Sequence, residues 1–119
     1  MAANIAIIPA RSGSRRIKDK NIKIFNKKPI IYWSIKAAKE SKIFDRIIVS
    51  TDSKKIAKIS NRYGAEIPFI RKKKLAQDII STVDVVRDAI KNSNIDNAKV
   101  CCIYPCAPLI SSKDLIKAY

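Results

Sequence analysis

The order of apolar and polar positions along the chain predicts a protein of alternating strands and helices. Four short apolar segments have the lengths of strands, at residues 4–9, 46–50, 66–70 and 98–104. The first and last are apolar on both faces, which is typical of parallel strands covered by helices on each side. Pro68 lacks a backbone N–H, so we expect the third strand at an edge of the sheet.

Between these strands, apolar residues recur at helical spacing, which predicts connecting helices. A polar, basic loop follows the first strand, and a helix is predicted over residues 29–41 with Pro29 as its first residue. Asp52 or Ser53 can cap a second helix, and Gly64 is the residue type that commonly ends one.

Two further capping patterns follow. Residues 81–84, Ser-Thr-Val-Asp, are expected to open a third helix, and residues 111–114 a fourth that reaches only Tyr119 and looks cut. The alternation predicts an α/β fold with a mostly parallel sheet, in one domain spanning residues 1–119. Ligands bind such sheets beyond the carboxyl ends of the strands.

Composition narrows the classes of protein that this chain can belong to. An apolar fraction of 47% in 119 residues supports one core and excludes a disordered tail. No apolar run approaches the roughly 20 residues of a membrane span, and no export signal is recognisable, so we expect a cytoplasmic protein. The excess of 25 Lys and Arg over 10 Asp and Glu, a net charge of +15, indicates anionic partners.

Three cysteines lie close together near the end of the chain, at Cys101, Cys102 and Cys106, and the chain has no His. This pattern does not match a zinc site, and neighbouring cysteines cannot provide a disulfide scaffold. We therefore expect buried free thiols.

Gly13 is one of only 2 glycines and lies in residues 10–17, the segment directly after the first predicted strand. Small residues there let successive backbone N–H groups approach an anion. Hydroxyl and cationic side chains flank the glycine: Ser12, Ser14, Arg11, Arg15, Arg16 and Lys20. The combination predicts a phosphate-binding loop, although it matches neither common phosphate-loop motif. A solvated basic turn remains the alternative.

Several spaced motifs widen this interpretation. They are residues 8–17 (IPARSGSRRI), 20–22 (KNI), 29–30 (PI), 49–52 (VSTD), 63–66 (YGAE) and 69–71 (FIR). Over residues 4–119 the chain resembles the acylneuraminate cytidylyltransferase family. The resemblance implies a Rossmann-like, three-layer nucleotidyltransferase fold of the GT-A-like kind, with this chain as its N-terminal, nucleotide-binding half.

Within that family, residues 104–110 (YPCAPLI) most resemble the pseudaminic acid branch. The N-acetylneuraminate and legionaminate branches are the nearest alternatives. Membership implies transfer of CMP from CTP to a nine-carbon 2-keto sugar acid, with release of pyrophosphate, for cell-surface or flagellar glycan synthesis. It also implies Mg²⁺ as cofactor and a homodimer of the full-length protein. The metal-binding aspartates are expected in the later half of family members, so no metal ligand is assigned in this chain.

The resemblance also implies roles on the phosphate side of the site. Arg11 and Lys20 correspond to catalytic cations, and Lys20 with Asn21 would contact the α-phosphate and the nucleotide. The triphosphate would be held by Arg11, Ser12, Gly13 and Ser14.

The base and sugar sides follow in the same way. Arg71 matches an arginine that contacts the cytosine edge, Ser81 or Thr82 a hydroxyl beside the base, and Tyr104 and Cys106 the sugar side. Plainer alternatives stay open: Arg71 belongs to a basic run that solvent could cover, and Ser81 could only cap its helix.

Two other functions fit parts of the sequence. The positive charge alone fits a small nucleic-acid-binding module, but the basic residues are spread along the chain without a recognisable motif, so no nucleic-acid partner is expected. An inactive fragment is a third possibility. We expect Asp52 to cap a helix rather than bind metal, and Tyr32 and Trp33 to pack rather than stack on a base.

Overall fold

The computed structural model describes residues 3–11, 20–70, 82–93 and 98–105. The elements in chain order are strand β1 (Ala3–Pro9), a 3-10 turn (Lys20–Ile22), strands β2 (Ile24–Phe25) and β3 (Lys28–Pro29), helix α1 (Ile30–Ser41), strand β4 (Arg46–Ser50), helices α2 (Lys54–Arg62) and α3 (Thr82–Asn92), and strand β5 (Ala98–Cys102). Within these ranges every helix is too short to cross a lipid bilayer.

The main sheet has three strands in the order β4–β1–β5, and both pairings are parallel. Ile7 in the central strand β1 pairs with Ile48 of β4 on one side and with Cys102 of β5 on the other. Ile103 extends the second pairing, because its N–H donates to the Ile7 carbonyl at 3.0 Å. The predicted parallel α/β sheet is confirmed.

Helices cover both faces of β1, because successive side chains of a strand point to opposite faces. Ala6 and Ile8 pack in a cluster that includes Ile31 and Ile35 of α1 and Ile56 of α2. On the other face, Ile5, Ile7 and Ile48 pack with Ala89 of α3. The layers are helix, sheet and helix, as the resemblance implied.

The third predicted strand is wrong over most of its length. Glu66 alone forms a parallel bridge with Ile48, through its N–H to the Ile47 carbonyl at 2.7 Å and its carbonyl to the Val49 N–H at 3.0 Å. Pairing does not continue over residues 67–70, where Pro68 has no N–H to donate. The expected position at an edge, beside β4, is correct.

An ion pair holds this single bridge in place. Arg46 donates from Nε and Nη2 to the Glu66 carboxylate, with an Nη2–Oε1 distance of 2.9 Å. This hydrogen bonding raises the pKa of Arg46 above its ordinary value. A third nitrogen, Nη1, donates to the Ser93 carbonyl at 2.9 Å, which ties the start of β4 to the end of α3.

The helix ends settle three sequence expectations. Ser53 caps α2, since its Oγ accepts from the Ile56 N–H at 3.2 Å, so the expectation that Asp52 is the cap is wrong. Gly64 follows the end of α2 with φ of 101°, so the predicted glycine stop is confirmed. The expectation that Pro29 is the first helical residue is wrong. Pro29 belongs to β3, where its ψ is an extended 140° and it pairs with Ile24 of β2. It therefore precedes α1 as the N-cap residue.

A hairpin occupies part of the segment that the sequence predicted as a basic loop. Strands β2 and β3 pair antiparallel around Asn26 and Lys27, whose φ angles are 48° and 73°. Two successive positive φ values are typical of the tightest hairpin turns. The pattern missed it because each strand is only two residues long.

Candidate functional site

The strand order marks the carboxyl ends of β1 and β5 as the expected ligand crevice of this sheet. From β1 the chain continues to β4 on one side, and it reaches β5 on the other side only later. Connections therefore diverge between β1 and β5, which is the point of an open parallel sheet where ligands bind. Arg11 follows β1 at this point, and Tyr104 follows β5.

Two residues predicted for the phosphate side are in contact there. The Asn21 amide donates from Nδ2 to the Arg11 carbonyl at 2.8 Å. Asn21 is 4% exposed and lies in the 3-10 turn that also contains Lys20. This hydrogen bond joins the 3-10 turn to the first residues after β1. The Nδ2 group of Asn21 therefore supports the backbone at Arg11.

On the β5 side, Tyr104 combines an exposed side chain with a fixed backbone. Tyr104 is 59% exposed, whereas the preceding residue, Ile103, is buried. The Tyr104 carbonyl accepts a hydrogen bond from Ser34 Oγ at 2.9 Å. Tyr104 can therefore present its ring to a ligand while its main chain is held by α1.

Sequence reasoning missed the contribution of Ser34. This serine is fully buried in α1 between apolar positions such as Ile31 and Ile35. Burying a hydroxyl without a hydrogen-bond partner costs free energy, so a serine on the apolar face of an amphipathic helix is a signal that could have found this contact. The position of Ser34 at helical spacing, taken alone, indicates only a small residue in the core.

Aromatic residues beside α1 contact one another, in agreement with the packing expected for Tyr32 and Trp33. The ring of Tyr32 meets those of Trp33 and Tyr63 edge to face, at centroid distances of 5.0 and 4.8 Å. The Trp33 indole Nε1 donates to the Phe25 carbonyl at 2.9 Å, and the Lys28 ammonium lies 5.6 Å from the Tyr32 ring centroid.

Cys101 and Cys102 are free thiols, as predicted, but the expected burial is wrong for both, because Cys101 is half-buried and Cys102 is exposed. Ala98 and Val100 on the same face of β5 pack in the α3 cluster, and Cys102 lies beyond them. Neighbouring protein atoms partly desolvate both sulfur atoms, even though Cys102 as a whole residue is exposed. This desolvation raises the pKa of both thiols, and Cys101 adds to the rise at Cys102. Both thiols therefore stay protonated at neutral pH and are poor nucleophiles.

The described residues do not supply a site for Mg²⁺. Across residues 3–11, 20–70, 82–93 and 98–105, no three His, Cys, Asp or Glu side chains lie close enough to hold a metal ion. Magnesium prefers carboxylate and phosphate oxygens, so no reaction step is assigned here to a bound metal.

Several predicted site residues have no structural account. Ser12, Gly13, Ser14, Arg71, Ser81 and Cys106 lie outside the described residues, as do the basic neighbours Arg15 and Arg16 and the helix predicted from residue 111. Thr82 and Lys20 begin α3 and the 3-10 turn respectively, and only their backbones are described. Of the predicted set, the structure brings Arg11, Asn21 and the backbone of Lys20 together.

Comparison with known proteins places this geometry in a family. The family described as cytidylyltransferase matches residues 5–119. A pseudaminic acid cytidylyltransferase of Campylobacter jejuni is 44% identical, over 98% of this chain and 51% of the relative. A CMP-N,N'-diacetyllegionaminic acid synthase of the same species is 43% identical, over 85% of this chain and 43% of the relative. The chain spans about half the length of the curated relatives it matches.

Solved structures agree on the fold. A CMP:2-keto-3-deoxy-manno-octonic acid synthetase complexed with CTP superposes with a TM-score of 0.83, at 19% identity, over 98% of this chain and 45% of that one. A cytidylyltransferase from Leptospira borgpetersenii gives 0.73 at 27% identity, over 98% of this chain and 47% of that one. With a family match over nearly its whole length and a shared sheet architecture, the chain belongs to the cytidylyltransferase family.

Proposed function

We propose that the protein transfers CMP from CTP to a nine-carbon 2-keto sugar acid, preferentially pseudaminic acid, and releases pyrophosphate. This chain provides the nucleotide-binding part, as a single unit over residues 1–119. The observation that carries the proposal is the position of Arg11 at the carboxyl end of the central strand, with its backbone bonded to buried Asn21. The identity to a pseudaminic acid cytidylyltransferase supports the choice of acceptor.

The reaction needs positive charge more than covalent chemistry. The anomeric hydroxyl oxygen of the acceptor forms a bond to the α-phosphorus of CTP, and the bond from that phosphorus to the α–β bridging oxygen breaks. Pyrophosphate leaves with the electron pair, and the hydroxyl proton passes to water. Negative charge grows on the phosphate oxygens, which positioned cations stabilise. Arg11 and Lys20 are the cations that we assign to this role.

The remaining assignments follow the motifs of the family. Ser12, Gly13 and Ser14 complete the triphosphate loop with Arg11. Arg71 and either Ser81 or Thr82 select the cytosine base, since hydrogen bonds to a base edge discriminate strongly. Tyr104 and Cys106 face the sugar acid.

Other features of the protein also remain part of the proposal. Mg²⁺ is the expected cofactor, with ligands outside the described residues. A homodimer, a cytoplasmic location, a role in cell-surface or flagellar glycan synthesis and the lack of a nucleic-acid partner are the accompanying predictions.

Legionaminic acid is the second candidate acceptor. The observation in its favour is the 43% identity to a CMP-N,N'-diacetyllegionaminic acid synthase, almost equal to that of the pseudaminic acid enzyme. An N-acylneuraminate cytidylyltransferase of Escherichia coli is more distant, at 35% identity.

The test supplies the purified protein with CTP, Mg²⁺ and each sugar acid in turn, and measures CMP-sugar and pyrophosphate. We expect kcat/KM for pseudaminic acid to exceed that for the other acids by about tenfold or more. Product with legionaminic acid alone would favour the second candidate. No product with any acid, together with salt-sensitive binding to random oligonucleotides and none to CTP, would replace the proposal with the nucleic-acid-binding alternative.

Arg11→Ala tests the assigned cation within the same experiment. We expect CTP affinity and kcat/KM to fall by about 100-fold, the scale of losing a charge-stabilising group. Arg62→Ala is the matched control, because Arg62 is an exposed arginine in the last turn of α2. Equal effects of the two substitutions would contradict the role of Arg11.

A further inference from the structure

The bond between Ser34 and Tyr104 links two segments that lie 70 residues apart in the chain. Ser34 is fully buried in the middle of α1, and Ile31 and Ile35 of the same helix are fully buried in the core. The helix is thus fixed by packing on the sheet. A hydroxyl on such a helix can fix the position of a backbone group with which it forms a hydrogen bond, because the helix itself is held rigidly.

Two hydrogen bonds on successive residues hold the chain where it leaves β5. The Ile103 N–H donates to the Ile7 carbonyl of β1 at 3.0 Å, and the next carbonyl, that of Tyr104, accepts from Ser34 of α1 at 2.9 Å. The first bond only continues the sheet. The second holds the chain just after the sheet has ended, at Tyr104, the residue that the proposed function assigns to the sugar acid.

We propose that Ser34 is a positioning residue that fixes the Tyr104 backbone and thereby orients the sugar acid against the α-phosphate. The inference rests on the proposed function for the identity of that acceptor. Ser34 acts through Tyr104 and touches no substrate itself. Misplacing an acceptor by about 1 Å lowers a transfer rate by about 100-fold, so a single loop anchor can be decisive.

Helix α1 also reaches the phosphate side of the crevice, through the residue next to Ser34. The Trp33 indole donates to the Phe25 carbonyl in the hairpin. That hairpin directly follows the 3-10 turn in which Asn21 is bonded to the Arg11 carbonyl. Successive residues of one helix therefore contact the segments on both sides of the crevice.

Three substitutions separate positioning from simple packing. Ser34→Ala removes the hydroxyl with little change in volume, and Ser34→Thr keeps the hydroxyl but adds a methyl group at a buried position. Ser60→Ala is the matched control, because Ser60 is equally buried in α2. Its Oγ has no hydrogen-bond partner among the residues that the structure describes.

Amide hydrogen exchange tests the anchor without any need for activity. We expect Ser34→Ala to speed exchange of the Ile103 amide by about tenfold, the scale of one lost hydrogen bond. The Val49 amide, which bonds to Glu66 beside β4, reports any global loss of stability and is expected to keep its rate. Unchanged exchange at Ile103, or an equal change in Ser60→Ala, would overturn the anchoring role.

Steady-state kinetics then test the consequence for the reaction. We expect Ser34→Ala to lower kcat/KM for the sugar acid by about tenfold or more while KM for CTP stays within about twofold of the wild-type value. Ser34→Thr is expected to restore most of kcat/KM even if its melting temperature is lower.

Two further outcomes separate this inference from the proposed function. If the wild-type protein makes no CMP-sugar, the proposed function fails, and the exchange result alone decides the anchor. If the loss of kcat/KM in Ser34→Ala and Ser34→Thr is proportional to the loss of melting temperature, Ser34 has only a packing role. That result would overturn the positioning role.

Discussion

At the scale of single residues, the positions with left-handed backbone angles show most clearly where the backbone favours glycine over other residues. Lys27, Lys42 and Gly64 have φ of 73°, 59° and 101°. Glycine adopts such angles without steric conflict, whereas a side chain brings Cβ close to the following carbonyl. Lys42 takes this conformation because it ends α1, where its N–H donates to the Lys39 carbonyl at 3.2 Å.

Lys42→Gly is therefore expected to stabilise the protein. The free energy of unfolding should rise by about 0.5–1 kcal/mol, because glycine has no Cβ atom to clash with the following carbonyl at this left-handed angle. Urea denaturation measures the change. Gly64→Ala is the opposite case, since its new Cβ would lie 2.7 Å from Lys39 Nζ at an unfavourable φ, and should destabilise. Destabilisation by Lys42→Gly would contradict this account.

At the scale of elements, helix α2 is short and is capped by the residue before it, Ser53. The helix has nine residues, of which only Ile56 and Ser60 are buried, and its first turn contains no acidic side chain. Short helices are marginal without tertiary packing or caps. The Ser53 hydroxyl satisfies the Ile56 N–H and is the side-chain cap of this helix.

Ser53→Ala is expected to lower the free energy of unfolding by about 1 kcal/mol, the usual effect of losing a serine cap. Ser53→Asp is the matched control, because aspartate caps equally well and its charge is favourable at a helix N-terminus. Thermal or urea denaturation of the two variants gives the comparison. Equal losses in both would mean that the hydroxyl is not the stabilising feature.

At the scale of the whole molecule, unbalanced positive charge is the dominant electrostatic property. The 25 basic residues outnumber the 10 acidic ones, which gives the chain its net charge of +15. Arg46 with Glu66 and Lys36 with Glu40 are pairs within the described ranges. A net charge of +15 attracts polyanions at distances comparable with the Debye length.

Affinity for CTP is accordingly expected to depend on ionic strength. Raising KCl from about 20 mM to about 300 mM shortens the screening length severalfold, and we expect Kd for CTP to rise several-fold. Cytidine lacks the phosphates and serves as the control ligand, with an affinity that should change little. Isothermal titration of both ligands at each salt concentration provides the measurement. Equal salt dependence for both would exclude a charge effect on the triphosphate.

The amino-acid sequence by itself determined the local elements and the chemistry they carry. Strands β1 and β4 and helices α1 and α2 were predicted because hydrophobic period, a capping serine and a glycine stop are properties of neighbouring residues. The motifs that indicate the family are local as well, and the family comparison agrees with them. Arg11 and Asn21 were candidates from their motif before their contact was known.

Only the tertiary structure decided which groups meet. Residues 66–70 have the composition of a strand, yet a single bridge forms, because pairing requires an N–H that Pro68 lacks. The bonds from Asn21 to Arg11 and from Ser34 to Tyr104 join distant segments. Periodicity specifies which face of an element is buried but not which partner it meets there, since the partner depends on how helices and strands pack together.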